Sequence, residues 1–264
     1  MMTNIWRVLG MLLFILNFSI GYPSSGVEKD SRKVVLQDPE ESGGFFEGDI
    51  DLTDEQLLGL RSRNGLIARS KRWPNKLVVY KISPQFDPIH KSYIQKAIRT
   101  IEAATCVRFR EATPTDTKYI NITAEDTGCH SQVGYLQKVQ RMNLQKFPID
   151  EGCFRMGSIL HEFLHTLGFY HQQSASDRDD YITVVVENIT PGMEDNFRQQ
   201  TATENFGIAY DYNSVLHYSS MAFSKNGKKT IITRDPKAVI GQRKALSAKD
   251  IAKLNTMYLC PMQT

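Results

Sequence analysis

Residues 161–171 read HEFLHTLGFYH, and the spacing of the three histidines in this stretch indicates a metal-binding helix followed by a turn. His161 and His165 are four residues apart, so on a helix both imidazoles lie on one face and can bind one metal ion. Glu162 follows the first histidine, which places its carboxylate beside the metal rather than on it, where a general base is needed. The pattern therefore predicts a helix over residues 155–169 that carries two metal ligands and a base.

Gly168 provides a route for a third ligand. A helix that continued would carry His171 away from the metal, whereas a glycine adopts a left-handed conformation at little cost and turns the chain back. Three protein ligands leave one zinc position open, as is typical of a catalytic site. The five fixed positions would occur by chance in a chain this long about once in ten thousand or less. We therefore predict one Zn²⁺ per chain, bound by His161, His165 and His171. The alternative, a helix whose histidines are merely packed or exposed, is disfavoured.

Residues 1–21 differ from the rest of the chain. Arg7 precedes an apolar run over residues 8–20, and Ser19 and Gly21 are small residues suited to a cleavage site. This is the pattern of a secretory signal peptide. A membrane anchor is the alternative, but the run is shorter than the ~20 residues that a span needs. No later segment is long and apolar enough to span a bilayer, so we expect a secreted, extracellular protein.

Secretion changes what the four cysteines imply. In an oxidising compartment they are expected to form two disulfides rather than a zinc site, and their spacing leaves three pairings open. The same compartment makes two Asn-X-Thr sequences candidate glycosylation sites. The cysteines are Cys106, Cys129, Cys153 and Cys260, and the two sequons begin at Asn121 and Asn188.

Charge divides the part of the chain that follows the signal peptide. Residues 22–63 hold ten acidic and five basic residues, whereas residues 64–264 hold 26 basic and 19 acidic ones. An acidic stretch before a basic domain can be a solvated linker. The other interpretation is a segment that covers a basic cleft until it is removed.

The remaining pattern is that of an α+β chain whose strands mostly precede the central helix, with no internal repeat. The last predicted helix begins at Ser247, which with Asp250 forms a capping box. Three other histidines match no ligand pattern: His90 and His130 are expected on the surface, and His217 taken alone is a candidate core histidine. Alternation and helical spacing predict strands over residues 77–82 and 119–123 and helices over residues 93–104 and 247–258.

Several motifs together make the sequence resemble the astacin family of metzincin metallopeptidases. The resemblance runs from about residue 46 to residue 260. It implies a two-lobed catalytic domain, with a twisted sheet and the active-site helix above a cleft and an irregular lobe below. The motifs are HEFLHTLGFYH at 161–171, DRDDY at 177–181, SVLHY at 214–218 and GQRKALSAKDIAKLNTMYLC at 241–260.

The resemblance also implies a role for each site residue. His161, His165 and His171 would bind zinc, and Glu162 would be the general base and proton shuttle. Tyr218 matches the tyrosine that ligates zinc at rest in this family and swings away to stabilise the tetrahedral intermediate. The disulfides implied are Cys106–Cys260 and Cys129–Cys153.

The acidic stretch contains FEGD at residues 46–49, similar to an element of astacin pro-segments whose aspartate occupies the open zinc position. Asp49 is therefore the expected latency residue, because a carboxylate there displaces the water that the base needs. By the same resemblance the mature domain, residues 64–264, begins after Arg63, which a trypsin-like protease could cut, and residues 22–63 are the pro-segment. Lys71-Arg72 is a second possible cut.

Three positions depart from the family pattern. Gln172 stands where the family has a glutamate that engages the mature N-terminus, and an amide offers no charge partner for an ammonium. Ala175 replaces an arginine, and Leu216 replaces the methionine of the Met-turn at a cost below ~1.5 kcal/mol. None of the three removes a ligand, the base or the tyrosine.

We therefore expect a monomeric secreted zinc endopeptidase, made as a zymogen, that acts on proteins or peptides and binds no nucleic acid. The alternative is a catalytically weak astacin-like paralogue that acts as a secreted binding protein. Many relatives favour an acidic residue just after the cut, and the basic balance of the domain is compatible with that preference. The basic residues singled out for it are Lys228, Lys229 and Lys237.

Overall fold

The structure is a computed structural model, and it describes residues 38–41, 44–54, 56–57, 69–200 and 204–261. The predicted signal peptide and the predicted cut after Arg63 lie outside these residues. No helix in the described ranges is both long enough and apolar enough to cross a lipid bilayer.

A five-stranded sheet forms the upper lobe. Its strands lie in the order β2-β1-β3-β5-β4, and all neighbours are parallel except β4, which runs antiparallel to β5 at one edge. That edge leaves the outer backbone of β4 free to pair with another segment, which decides how the site is covered. The strands are β1 (Leu77–Ile82), β2 (Arg108–Glu111), β3 (Ile120–Thr123), β4 (Cys129–Ser131) and β5 (Gln140–Leu144).

Two helices pack against this sheet. Helix α1 (Pro88–Ala104) begins at Asp87, whose carboxylate accepts from two backbone N–H groups, and buries one apolar face. Helix α2 (Met156–Thr166) is buried at every position from Gly157 onward, as expected of a helix in the middle of a core. The predicted central helix is thus confirmed, although it ends at Thr166.

The lower lobe is mostly irregular. Its sheet has two antiparallel strands, β6 (Ile182–Val184) and β7 (Ile231–Thr233), over a separate apolar cluster. Helix α3 (Ala248–Met257) begins with the predicted capping box at Ser247. The α+β, two-lobed expectation is confirmed. Short 3₁₀ turns connect the elements: Arg69–Lys71, Pro74–Lys76, Gly152–Phe154, Gln172–Ser174, Arg178–Asp180, Val186–Asn188 and Glu194–Phe197.

Two disulfides hold these elements together, in the pairs that the resemblance implies. The long-loop disulfide, Cys106–Cys260, has an S–S distance of 2.02 Å and joins residues 154 apart, tying the C-terminal end to the start of β2. The short-loop disulfide, Cys129–Cys153, has an S–S distance of 2.15 Å and joins residues 24 apart, tying β4 to the turn before α2.

Candidate metal centre

The three histidines of the central motif converge on one point. Helix α2 presents His161 and His165 one turn apart, and their Nε2 atoms lie 2.9 Å from each other. Gly168, with a φ of 111°, turns the chain so that Nε2 of His171 lies 3.1 Å from Nε2 of His161. The turn requires a glycine for its φ, whereas an added Cβ would meet only the flexible end of Met257, 2.8 Å away at Cε.

The other ring nitrogen of each histidine faces an oxygen acceptor. Nδ1 of His161 is 2.8 Å from the Val215 carbonyl, and Nδ1 of His165 is 2.7 Å from the Phe169 carbonyl. Nδ1 of His171 is 2.8 Å from Oε2 of Glu47. These acceptors hold the proton on Nδ1 in each ring, so all three Nε2 lone pairs point at the shared centre. Three converging lone pairs repel one another unless a cation lies between them, and three imidazoles are ligands that suit zinc.

A carboxylate completes this group. Asp49 Oδ2 lies 2.9 Å from Nε2 of His161, and Oδ1 lies 3.2 Å from Nε2 of His171. The four ligand atoms lie within 4.8 Å of one another, and all four residues are buried. Oδ1 has no hydrogen-bond donor in the described ranges, as expected of an oxygen that faces a cation. Burial raises the pKa of Asp49 to about 6, opposed by the nearby His171.

Glu162 lies beside this group with one oxygen held and one free. The Ser131 hydroxyl donates to Oε2 at 2.6 Å, whereas Oε1 is buried without a partner in the described part of the chain. Burial raises the pKa of Glu162 well above its ordinary value, and the charge of Asp49 adds to the effect. Ser131 belongs to the edge strand β4 and had no motif signal.

The Tyr218 hydroxyl is engaged by the acidic segment. It donates to the Glu47 carbonyl at 2.5 Å, and its ring centroid lies 4.8 Å from that of His171. In this arrangement Asp49, rather than the tyrosine, lies against the three imidazoles.

The other predicted positions lie outside this group. Asn121 is in β3 and Asn188 ends a 3₁₀ turn, both partly exposed, and their glycosylation stays a prediction. The surface prediction was wrong for His130, which is 2% exposed with its ring centroid 4.1 Å from that of Phe45. His90 is half-buried, and His217 is buried against the Tyr210 hydroxyl at 2.7 Å.

The structure shows what surrounds the three residues that depart from the family pattern. Oε1 of Gln172 accepts from Lys253 Nζ at 2.5 Å, so the amide faces an ammonium of this chain's own. Leu216 is 4% exposed and packs in the main apolar cluster, as a methionine of similar volume would. Ala175 contacts the apolar cluster of the lower lobe.

Two arginines near the centre were not identified from the sequence. Arg243 Nε donates to Glu40 Oε2 at 2.5 Å, and Arg155 Nη2 donates to both oxygens of Asp38 at 2.9 Å. Arg155 directly precedes helix α2, and this position next to the predicted metal-binding helix is the sequence feature that could have identified it. The three lysines singled out for substrate charge are exposed in the lower lobe: Lys228, Lys229 and Lys237.

Comparison with known proteins agrees with this geometry. The family model Astacin, which describes a family of peptidases, matches residues 66–259. Seminal metalloprotease 1 of Drosophila melanogaster is 42% identical over 234 residues, which cover 86% of this chain and 91% of that protein. Zinc metalloproteinase nas-7 of Caenorhabditis elegans is 38% identical over 80% of this chain, which spans 54% of that protein.

Solved structures show the same relationship. High choriolytic enzyme 1, a hatching enzyme zinc-protease of the medaka fish Oryzias latipes, superposes with a TM-score of 0.66 at 34% identity, over 72% of this chain and 94% of the other. Myroilysin superposes with a TM-score of 0.55 at 21% identity, a likeness of fold alone. The chain belongs to the astacin family, and it is a zinc metalloendopeptidase with a site for one metal ion.

Proposed function

We propose that this endopeptidase is secreted as a zymogen and that the segment around Asp49 keeps it latent. The observation that carries the proposal is the Asp49 carboxylate, which lies against the Nε2 atoms of His161, His165 and His171. The three histidines are the proposed zinc ligands. A carboxylate in the fourth position leaves no room for a reacting water.

The backbone of the same segment blocks the edge of the sheet. Ser131 N–H donates to the Asp49 carbonyl at 2.9 Å, and the Asp51 N–H donates to the Ser131 carbonyl at 2.9 Å. Ile50 thereby forms a parallel bridge with Ser131 on edge strand β4. An extended substrate would pair with the free edge of a sheet in the same manner, so segment and substrate compete for one surface.

Once the segment has left, this chain's own residues supply the proton transfers. Zinc held by His161, His165 and His171 would supply Lewis acidity toward the scissile carbonyl and the reacting water. Oε1 of Glu162 accepts a proton from water while Ser131 holds Oε2, and the water oxygen bonds to the carbonyl carbon. Glu162 then gives that proton to the amide nitrogen as the C–N bond breaks. The Tyr218 hydroxyl, released from Glu47, donates to the oxyanion.

The ion pairs of the segment indicate a substrate preference. Asp38 and Glu40 are acidic side chains held by Arg155 and Arg243, and Oε2 of Glu40 lies 4.0 Å from Nδ1 of His161. Removal of the segment leaves both guanidinium groups without these carboxylates. Guanidinium groups that have lost their carboxylate partners favour another anion, so we propose that substrates with acidic side chains near the scissile bond are preferred.

Activation requires a cut between the segment and the domain. The proposed boundaries are a signal peptide at residues 1–21, a pro-segment at 22–63 and a mature domain at 64–264. A trypsin-like protease acting after Arg63 is the proposed activator, and a monomer is the proposed state. The cut by the activating protease exposes the metal centre only if the cleaved segment then dissociates.

The test uses the full-length secreted protein. Trypsin cleavage, verified by N-terminal sequencing, should switch on hydrolysis of a quenched peptide library, with acidic residues near the cut enriched among the products. A zinc chelator should abolish the activity. Glu162→Ala should lower it by about 10²–10⁴-fold, whereas the exposed control Glu187→Ala should not. A cleaved protein that binds zinc but hydrolyses nothing would refute the proposal in favour of a weak paralogue that acts by binding.

A further inference from the structure

Glu47 is a second carboxylate that the acidic segment brings to the metal centre. It is fully buried, and its Oε2 lies 2.8 Å from Nδ1 of His171. Its Oε1 accepts from Gln200 Nε2 at 3.2 Å, and its backbone carbonyl accepts from the Tyr218 hydroxyl at 2.5 Å. One residue of the segment thus contacts both a metal ligand and the tyrosine proposed to support the oxyanion.

The three proposed ligands therefore differ in what lies behind them. Nδ1 of His161 and Nδ1 of His165 face the carbonyls of Val215 and Phe169, which belong to the catalytic domain itself. Nδ1 of His171 faces Glu47, which belongs to the proposed pro-segment. Within the described residues, Glu47 is the one hydrogen-bond acceptor of this nitrogen.

The backbone of the segment is shaped to present this carboxylate. Glu47 has a φ of 49° and Gly48 a φ of 86°, so two consecutive residues adopt left-handed conformations. A Cβ at Gly48 would lie 2.7 Å from the Glu40 carbonyl oxygen and 2.9 Å from Phe223 Cζ. A left-handed glutamate costs free energy and persists only where surrounding contacts hold it. The turn directs side chains 47 and 49 to opposite sides of His171, one to Nδ1 and one to Nε2.

A carboxylate on Nδ1 changes how well an imidazole binds a metal. It fixes the tautomer and the ring orientation, and it increases the electron density on Nε2. Loss of such a partner costs about 10–100-fold in metal affinity. A buried charge also needs partners of its own, and His171 and Gln200 supply them to Glu47.

We propose that Glu47 is a positioning residue for His171, and that the uncleaved chain therefore binds zinc more tightly than the activated enzyme. The inference rests on the proposed zymogen function and adds a second task to the segment. Dissociation of the cleaved segment removes the Asp49 carboxylate and the Nδ1 acceptor together. The segment thus serves as a metal-loading element as well as a latency element.

The experiment measures zinc affinity directly, by competition with a chromophoric chelator on the uncleaved chain. Glu47→Ala should weaken zinc binding by about 10–100-fold. Glu47→Gln should weaken it less, because an amide oxygen still accepts from Nδ1. The matched control is Asp54→Asn, which alters an exposed carboxylate of the same segment, and it should change the affinity less than twofold. The wild-type chain, cleaved and freed of its segment, should bind zinc at least as weakly as uncleaved Glu47→Ala.

A background variant separates positioning from mere seating of the segment. The Asp49→Asn variant already lacks the carboxylate in the fourth metal position. Adding Glu47→Ala to this variant should still lower zinc affinity about 10–100-fold further. If the double variant binds zinc as the Asp49→Asn variant does, Glu47 acts only by seating the segment and the proposal is overturned. Unchanged affinity in Glu47→Ala alone overturns it as well. An uncleaved chain that proves active would refute latency while leaving these affinities informative.

Discussion

Replacing Gly157 by alanine gives a sharp test of how helix α2 sits in the core. Gly157 lies in the first turn of the helix, and its N–H donates to the Arg243 carbonyl at 3.0 Å. A Cβ added there would lie 2.0 Å from the carbonyl carbon, 2.3 Å from the carbonyl oxygen and 2.4 Å from the Cα of Arg243. Because these are backbone atoms, no rotamer change relieves the overlap.

The magnitude follows from two opposed terms. Helix propensity alone favours alanine over glycine by about 1 kcal/mol in a helix interior. Overpacking a core costs about 1–3 kcal/mol when side chains can adjust, and the upper end or more applies when backbone must move by roughly 1 Å. We therefore expect Gly157→Ala to lower the free energy of unfolding by about 2 kcal/mol net. The propensity term alone predicts the opposite sign.

The assay is urea denaturation of the uncleaved chain, followed by far-UV circular dichroism. Ser92→Ala, at an exposed position of α1, is the matched control, and it should be neutral or stabilising by no more than about 0.5 kcal/mol. A Gly157→Ala variant that is more stable than the wild type would refute the packing of α2 against Arg243.

Three further results are expected. Removing the long-loop disulfide by two serine substitutions should lower the free energy of unfolding by about 5 kcal/mol, and removing the short-loop disulfide should lower it by about 3 kcal/mol. The reason is that a disulfide that closes a longer loop removes more entropy from the unfolded chain. If the short-loop variant has the lower denaturant midpoint, this reasoning is wrong. Asp49→Asn should make the uncleaved chain partly active against a quenched peptide, whereas full latency would exclude the carboxylate as the blocking group. Burial raises the pKa of Glu41 from 4.5 to about 7, so the contribution of this one carboxyl group to docking of the segment is complete below pH 4.5 and is lost as the pH rises through 7. Limited proteolysis of the segment should therefore be faster at pH 8 than at pH 5, and Glu41→Gln should reduce that difference.

The predictions that held from the sequence concern local geometry. The i, i+4 spacing of His161 and His165 needs only a helix to bring two rings together, and Ser247 needs only the first turn to cap it. The turn at Gly168 likewise depends on one residue's backbone freedom. The α+β class followed from periodicities of the same short range.

The errors and omissions concern contacts between distant segments. His130 has no signal for burial in its own neighbourhood, because the segment that covers it contributes Phe45 from far along the chain. The charge balance suggested a basic cleft but pointed to exposed lysines, whereas the basic groups that meet the acidic segment are Arg155 and Arg243. Net charge reports composition and does not say where in the fold the charged side chains lie.

The family, and a set of three histidines with an adjacent glutamate, could be inferred from the sequence, because a helix and one glycine turn bring those groups together within eleven residues. The surroundings of these side chains depend on tertiary structure. Ser131 reaches Glu162 across 31 positions, Val215 reaches His161 across 54, and Glu47 reaches His171 across 124. Such partners depend on how strands, loops and the acidic segment pack in three dimensions. No periodicity in the chain encodes that packing, which orients the three imidazoles and places Asp49 against them.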